Sequence, residues 1–151
     1  YVGANGKMNE FQAAMGLCNL RHIDGEIAKR KALAEHYRER LSGVPGIRLC
    51  PQNPDVRYNY AYMPVVFEGY GAGRDEIFSA LKGHNIFARK YFYPCINDYA
   101  CYRDRFSADD TPVAKRIASE VLTLPLFADL SMEIVDEVCD VILSFRRDRE
   151  R

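Results

Sequence analysis

Pro64 falls inside a stretch whose side chains alternate in character, with Tyr58, Tyr60 and Tyr62 set against Ala61, Met63, Val65 and Phe67. A period of two marks a strand with two differently occupied faces. Proline has no N–H to give to a ladder, so Tyr58 to Phe67 is predicted as an edge strand, or as one whose pairing ends at Pro64. A sheet built on such a strand is small, and helices must cover it.

Helical spacing is plentiful. Met8, Phe11, Met15 and Cys18 recur at steps of three and four, with Asn9 placed to cap and Gln12 to close a capping box. Ile23, Ile27, Ala34, Tyr37 and Leu41 continue a stripe through a second helix ending near Gly43, and Arg21 to Gly25 is a kink or a loop between the two. Ile47 to Cys50 is a short strand candidate. Gly69 to Gly73 reads as a turn, Ile77, Phe78 and Leu81 as one face of a helix closing at Gly83, and Ile86 to Phe92 as another strand. Cys95 to Asp110 has the composition of a loop over a site. Thr111-Pro112 predicts a helix start with Val113, Ile117 and Val121 on its apolar side, and Leu122 to Pro125 a terminal strand. In the last helix Ser131 caps, Leu130 staples to Val135, and Ile134, Val138, Val141, Ile142 and Phe145 face the core. Strands and helices without a βαβ rhythm imply an α+β sandwich with helices packed on one face of a small mixed or antiparallel sheet.

Composition narrows the function. Nearly half of the 151 residues are hydrophobic, enough for one domain with a core but not for the two-domain body of a typical cofactor enzyme. The formal charge sums to zero, which gives no long-range attraction for nucleic acid or an anionic membrane. No apolar run approaches the roughly 20 residues that cross a bilayer, and no signal peptide opens the chain, so a soluble protein is expected. The five cysteines have neither CxxC nor Cys/His ligand spacing, which argues for a reducing cytoplasm and against a disulfide framework or a metal site. His22, His36 and His84 stand in no ligand constellation and read as structural. The opening Tyr1-Val2-Gly3, with no initiator methionine, suggests a fragment of a longer protein.

Three segments carry a resemblance. Gly3-Ala4-Asn5-Gly6-Lys7-Met8-Asn9-Glu10-Phe11-Gln12-Ala13-Ala14-Met15-Gly16-Leu17 resembles the G-x-N-x-[RK]-M-x-x-x-Q-A-A-x-G-L segment of DegT/StrS-type sugar aminotransferases. Ile86 to Pro94 resembles the family's R-x-Y-[FY]-x-P strand, and Val121-Leu122-Thr123-Leu124-Pro125-Leu126 the element before its final helix. The resemblance implies an aspartate-aminotransferase-like fold, with residues 1–20 as the end of the large domain, 21–43 as a linking helix and 44–151 as the C-terminal small domain. It implies pyridoxal 5'-phosphate as cofactor, a homodimer, an amino-acid donor such as glutamate and a nucleotide-linked keto-deoxysugar acceptor, in amino-sugar or cell-surface polysaccharide biosynthesis.

Residue by residue, the resemblance assigns Asn5 to the cofactor phosphate of the partner subunit, supported by Lys7, which stands where many relatives have arginine. It assigns Arg89, Tyr91 and Tyr93 to the sugar substrate; a cation among aromatic rings suits a diphosphate and the flat face of a base or sugar. Asn97 stands near the place where many relatives carry histidine. The family's Schiff-base lysine belongs to a segment upstream of Tyr1, and none of Lys7, Lys29, Lys31, Lys82, Lys90 or Lys115 has its context, so the isolated chain is expected to be inactive. Tyr58, Tyr60 and Tyr62 read as covering the sheet. The other reading open to these residues is a non-catalytic regulatory, dimerisation or ligand-binding module.

Overall fold

A computed structural model describes residues 6–146. Asn9 opens α1 (Glu10–Leu20) with the predicted capping box: its side chain accepts from the Gln12 N–H, and the Gln12 side chain accepts from the Asn9 N–H. Among the described residues nothing covers the predicted stripe on α1, for the helix buries no residue and Phe11 is 88% exposed. Arg21 and His22 keep right-handed helical backbone before α2 (Ile23–Leu41), so the join is a kink. Only the second half of α2 enters the core, through Leu33, Ala34, Tyr37 and Leu41.

The sheet is antiparallel and ordered β1 (Ile47–Leu49), β2 (Met63–Phe67), β3 (Val121–Leu124). Pro64 therefore sits in the central strand, not at an edge. Register explains why it is tolerated. Pro64 lies opposite Thr123, whose N–H and C=O turn away to exchange hydrogen bonds with Arg89 at 2.7 and 2.9 Å. The missing N–H of Pro64 thus points to the β1 side, where pairing has already stopped at Leu49 opposite Val65.

Two predicted strands shrink for identifiable reasons. Ahead of Met63 the backbone is taken by side chains: Ala61 N–H donates to Asn59 Oδ1, Arg30 donates to the Asn59 carbonyl, and Tyr60 has φ of 51°. The segment Ile86 to Phe92 makes one reciprocal pair, Arg89 with Thr123. The next pair on one side would need an N–H from Pro125, which has none, and on the other the N–H of Val121, which donates to the Ile117 carbonyl.

Alternation divides the sheet. Met63, Val65, Phe67, Leu122 and Leu124 join one core with α2, α3 (Arg74–Gly83) and α5 (Met132–Leu143), and Ile86 and Ala88 enter it from the adjoining segment. Val66 and Val121 are buried on the other face, which α4 (Pro112–Glu120) approaches at β2 with Ala118 buried. Helices therefore lie on both faces, a correction to the single-face expectation. Thr111 does not cap α4, its hydroxyl donating instead to the Ala108 carbonyl, and Val113 is exposed. Ser131 does cap α5, and Val135, Val138, Val141 and Ile142 are buried, whereas Ile134 is exposed and Phe145 half-buried. Short 3-10 turns at Ile96–Asp98 and Ala108–Asp110 punctuate the loop between Cys95 and Thr111. Among the described residues no helix is long and apolar enough to cross a membrane, and no group of His, Cys, Asp or Glu is arranged to hold a metal ion.

Candidate functional site

The segment from Ile86 to Arg89 alternates inward and outward up to its one ladder pair. Ile86 and Ala88 point inward, and Phe87 and Arg89 are exposed on the opposite side. The single pair with Thr123 pins this row to β3. Arg89 Nη1 donates to Tyr91 Oη at 2.7 Å, and the Tyr91 ring meets Tyr62 edge-on, with centroids 5.9 Å apart. A concavity of about 360 Å³ lies between Tyr62, this row, Thr123 and the exit of β3 through Pro125 to Phe127. Tyr91 also borders a second, more apolar concavity of about 410 Å³, formed with Phe92, Pro94, Ile96 and the α4 side of the loop, where Asn97 and Thr111 supply polar groups. One aromatic wall thus separates two neighbouring spaces, and the cation Arg89 stands over only the more polar one.

Tyr93 goes elsewhere. Its ring lies 4.7 Å from the Arg74 guanidinium and 6.0 Å from Lys90 Nζ, and it borders neither concavity. Asp75 sits 2.6 Å from Arg74 Nε and 2.5 Å from Lys90 Nζ. The hydrogen bond from Lys90, with the Arg74 charge beside it, holds the Asp75 carboxyl below its usual range. Lys7 is exposed ahead of α1, away from any ion pair with a described residue, and Asn5 lies outside the described residues.

Tyr62 and Thr123 are members of this geometry that the sequence reading missed. Tyr62 was expected to cover the sheet; it is 60% exposed and packs against Tyr91. The signal for Thr123 is its place as the polar residue in the otherwise apolar Val121 to Leu126 run. Chemically, the arrangement offers a guanidinium for an anionic oxygen, flat rings for stacking and a small apolar recess.

Residues 1–143 match the DegT/DnrJ/EryC1/StrS aminotransferase family. The chain belongs to that family. An Escherichia coli relative, dTDP-4-amino-4,6-dideoxy-D-glucose transaminase, is 44% identical over 144 residues, covering 93% of this chain and 39% of its own. The erythromycin biosynthesis sensory transduction protein EryC1 of Saccharopolyspora erythraea is 31% identical, over 90% of this chain and 36% of its own. Among solved structures, S. venezuelae DesV in complex with a ketimine intermediate superposes with a TM-score of 0.85 at 29% identity, over 97% of this chain and 39% of that one. The α+β arrangement described above is therefore that of the corresponding part of this aminotransferase fold. The chain spans about two-fifths of the length of the relatives it matches.

Proposed function

We propose that these residues form the C-terminal portion of a pyridoxal-phosphate-dependent aminotransferase that moves an amino group from an amino acid, such as glutamate, to a keto group on a nucleotide-linked deoxysugar. The observation carrying this reading is the Arg89–Tyr91–Tyr62 cluster beside a concavity, in a chain whose family and 44%-identical relative act in amino-sugar chemistry. That relative's name suggests a dTDP-linked 4,6-dideoxyhexose. In this reading Arg89 holds a diphosphate oxygen, Tyr91 and Tyr62 stack on a ring of the substrate, Tyr93 supports that wall, and the protein works as a cytoplasmic homodimer. Residues 1–20 complete the large domain, 21–43 link, and 44–151 form the small domain.

The residues present fit a marginal role toward the cofactor. Lys7 is exposed ahead of α1, and by the family motif it and Asn5 would reach the cofactor phosphate of the partner subunit. When bound, pyridoxal phosphate supplies the electron sink for transamination. The amine that holds it must be free to lose its proton. Lys29, Lys31, Lys90 and Lys115 each face a carboxylate instead, and the hydrogen bonds that Lys29 donates to Glu26 and Lys115 donates to Asp109 raise the pKa of these two ammonium groups. On the family resemblance we assign the cofactor lysine to a segment ahead of Tyr1, and the isolated chain to an inactive state.

A second reading, a regulatory member without turnover, draws on the sensory-transduction name of EryC1. Assay of the protein extended upstream decides between them: glutamate-dependent amination of a dTDP-linked 4-keto-6-deoxyhexose supports the enzyme, and absence of turnover with cofactor bound supports the regulator.

A further inference from the structure

Arg74 is the first residue of α3 and is only 4% exposed. Both facts disfavour a cation. Burial strips its hydration, and the N-terminal end of a helix repels positive charge. Three contacts offset the cost. Nη1 donates to the Ala118 carbonyl at 3.0 Å; Nε lies 2.6 Å from the Asp75 carboxylate, an ion-pair contact at an angle too poor for a hydrogen bond; and the guanidinium carbon stands 4.7 Å from the centre of the Tyr93 ring. The same Asp75 carboxylate meets Lys90, the residue before Tyr91.

These contacts end on two different walls. Ala118 lines the apolar concavity from α4, and Pro94 and Tyr91, on either side of Tyr93, line it from the opposite segment. We infer that Arg74 is a positioning residue: it clasps α4 to the Tyr91–Pro94 segment through Tyr93, sets the separation of the two walls, and so fixes Tyr91 where the nucleotide-sugar is bound. The inference rests on the proposed substrate reading.

The test uses the aminotransferase extended upstream, loaded with cofactor, and measures KM for the nucleotide-sugar beside the rate of the amino-acid half-reaction. Arg74→Met keeps the stem and removes the charge. It should raise the sugar KM about tenfold, the scale of a partly desolvated cation–π contact, with the amino-acid half-reaction unchanged. Tyr93→Leu, which leaves the buried cation in place, should raise KM similarly, and adding Arg74→Met to it should raise KM little further. Tyr93→Phe keeps the ring and should preserve the coupling. Should Arg74→Met fail to fold, Tyr93→Leu and Arg74→Lys carry the same test, the lysine giving a smaller rise. Wild-type KM in Tyr93→Leu, or full additivity in the double variant, overturns the positioning role. Arg89→Ala serves as control: if it raises the sugar KM and the Arg74 and Tyr93 variants do not, only the clasp is wrong, and if none of them does, the substrate reading falls with it.

Discussion

The Tyr37 phenol, with no exposed surface, donates a 3.1 Å hydrogen bond to the carbonyl of Pro125. It joins α2 to the exit of β3, the stretch that borders the Arg89 concavity. Tyr37→Phe keeps the ring and strands that carbonyl, so it should cost about 1 to 2 kcal/mol. Urea unfolding should show a lower midpoint with an unchanged slope.

Gly46 and Gly43 both have left-handed backbone, with φ of 83° and 73°, yet they should respond differently. A Cβ on Gly46 would meet the Tyr70 Cα at 2.6 Å, whereas one on Gly43 meets open space. Gly43→Ala should cost about 1 kcal/mol, the conformational penalty alone. Gly46→Ala should cost more, since the Tyr70 backbone must move. Equal melting temperatures for the two variants would contradict this steric account.

Burial pushes the Cys139 thiol up to about 12. A folded pKa above the unfolded one favours the protonated folded state, so this contribution is complete below about pH 8.5 and is lost as pH rises toward the folded value. The unfolding midpoint should therefore fall above pH 9 or so, and less steeply in Cys139→Ala. In native protein at neutral pH, a thiol reagent should label the exposed Cys18, Cys50 and Cys101 and spare Cys139 until unfolding.

In the protein extended upstream, Arg89→Ala or Tyr91→Ala should weaken the nucleotide-sugar half-reaction and leave the amino-acid half-reaction nearly intact. A charge-assisted contact to a diphosphate is worth about 1.5 to 3 kcal/mol and serves only one substrate. Stopped-flow spectra of each half-reaction would separate them. Equal losses in both, with cofactor content unchanged, would remove Arg89 and Tyr91 from the sugar site.

Mixing the isolated chain with pyridoxal phosphate and borohydride should yield no stoichiometric adduct on a single lysine. Hydrogen bonds that Lys29 donates to Glu26 and Lys115 donates to Asp109 oppose the deprotonation that attack requires. Peptide mapping reads the outcome, and one fully labelled lysine would return catalytic competence to the chain.

What the sequence by itself determined is local: the Asn9–Gln12 capping box, the Ser131 cap and the periods that separate helix from strand. These depend on neighbours within a few residues, and so on spacing. The three motifs likewise identified the family. Partnership across the chain was decided only by the tertiary structure. Pro64 entered the central strand because Thr123 turned its backbone to Arg89; Val121 and Pro125 had no N–H left to extend that pairing; Tyr62 came to Tyr91, and Tyr93 to Arg74. Each of these depends on which donors remain after another element has taken its share, and no periodicity within one segment records what a distant segment has already used.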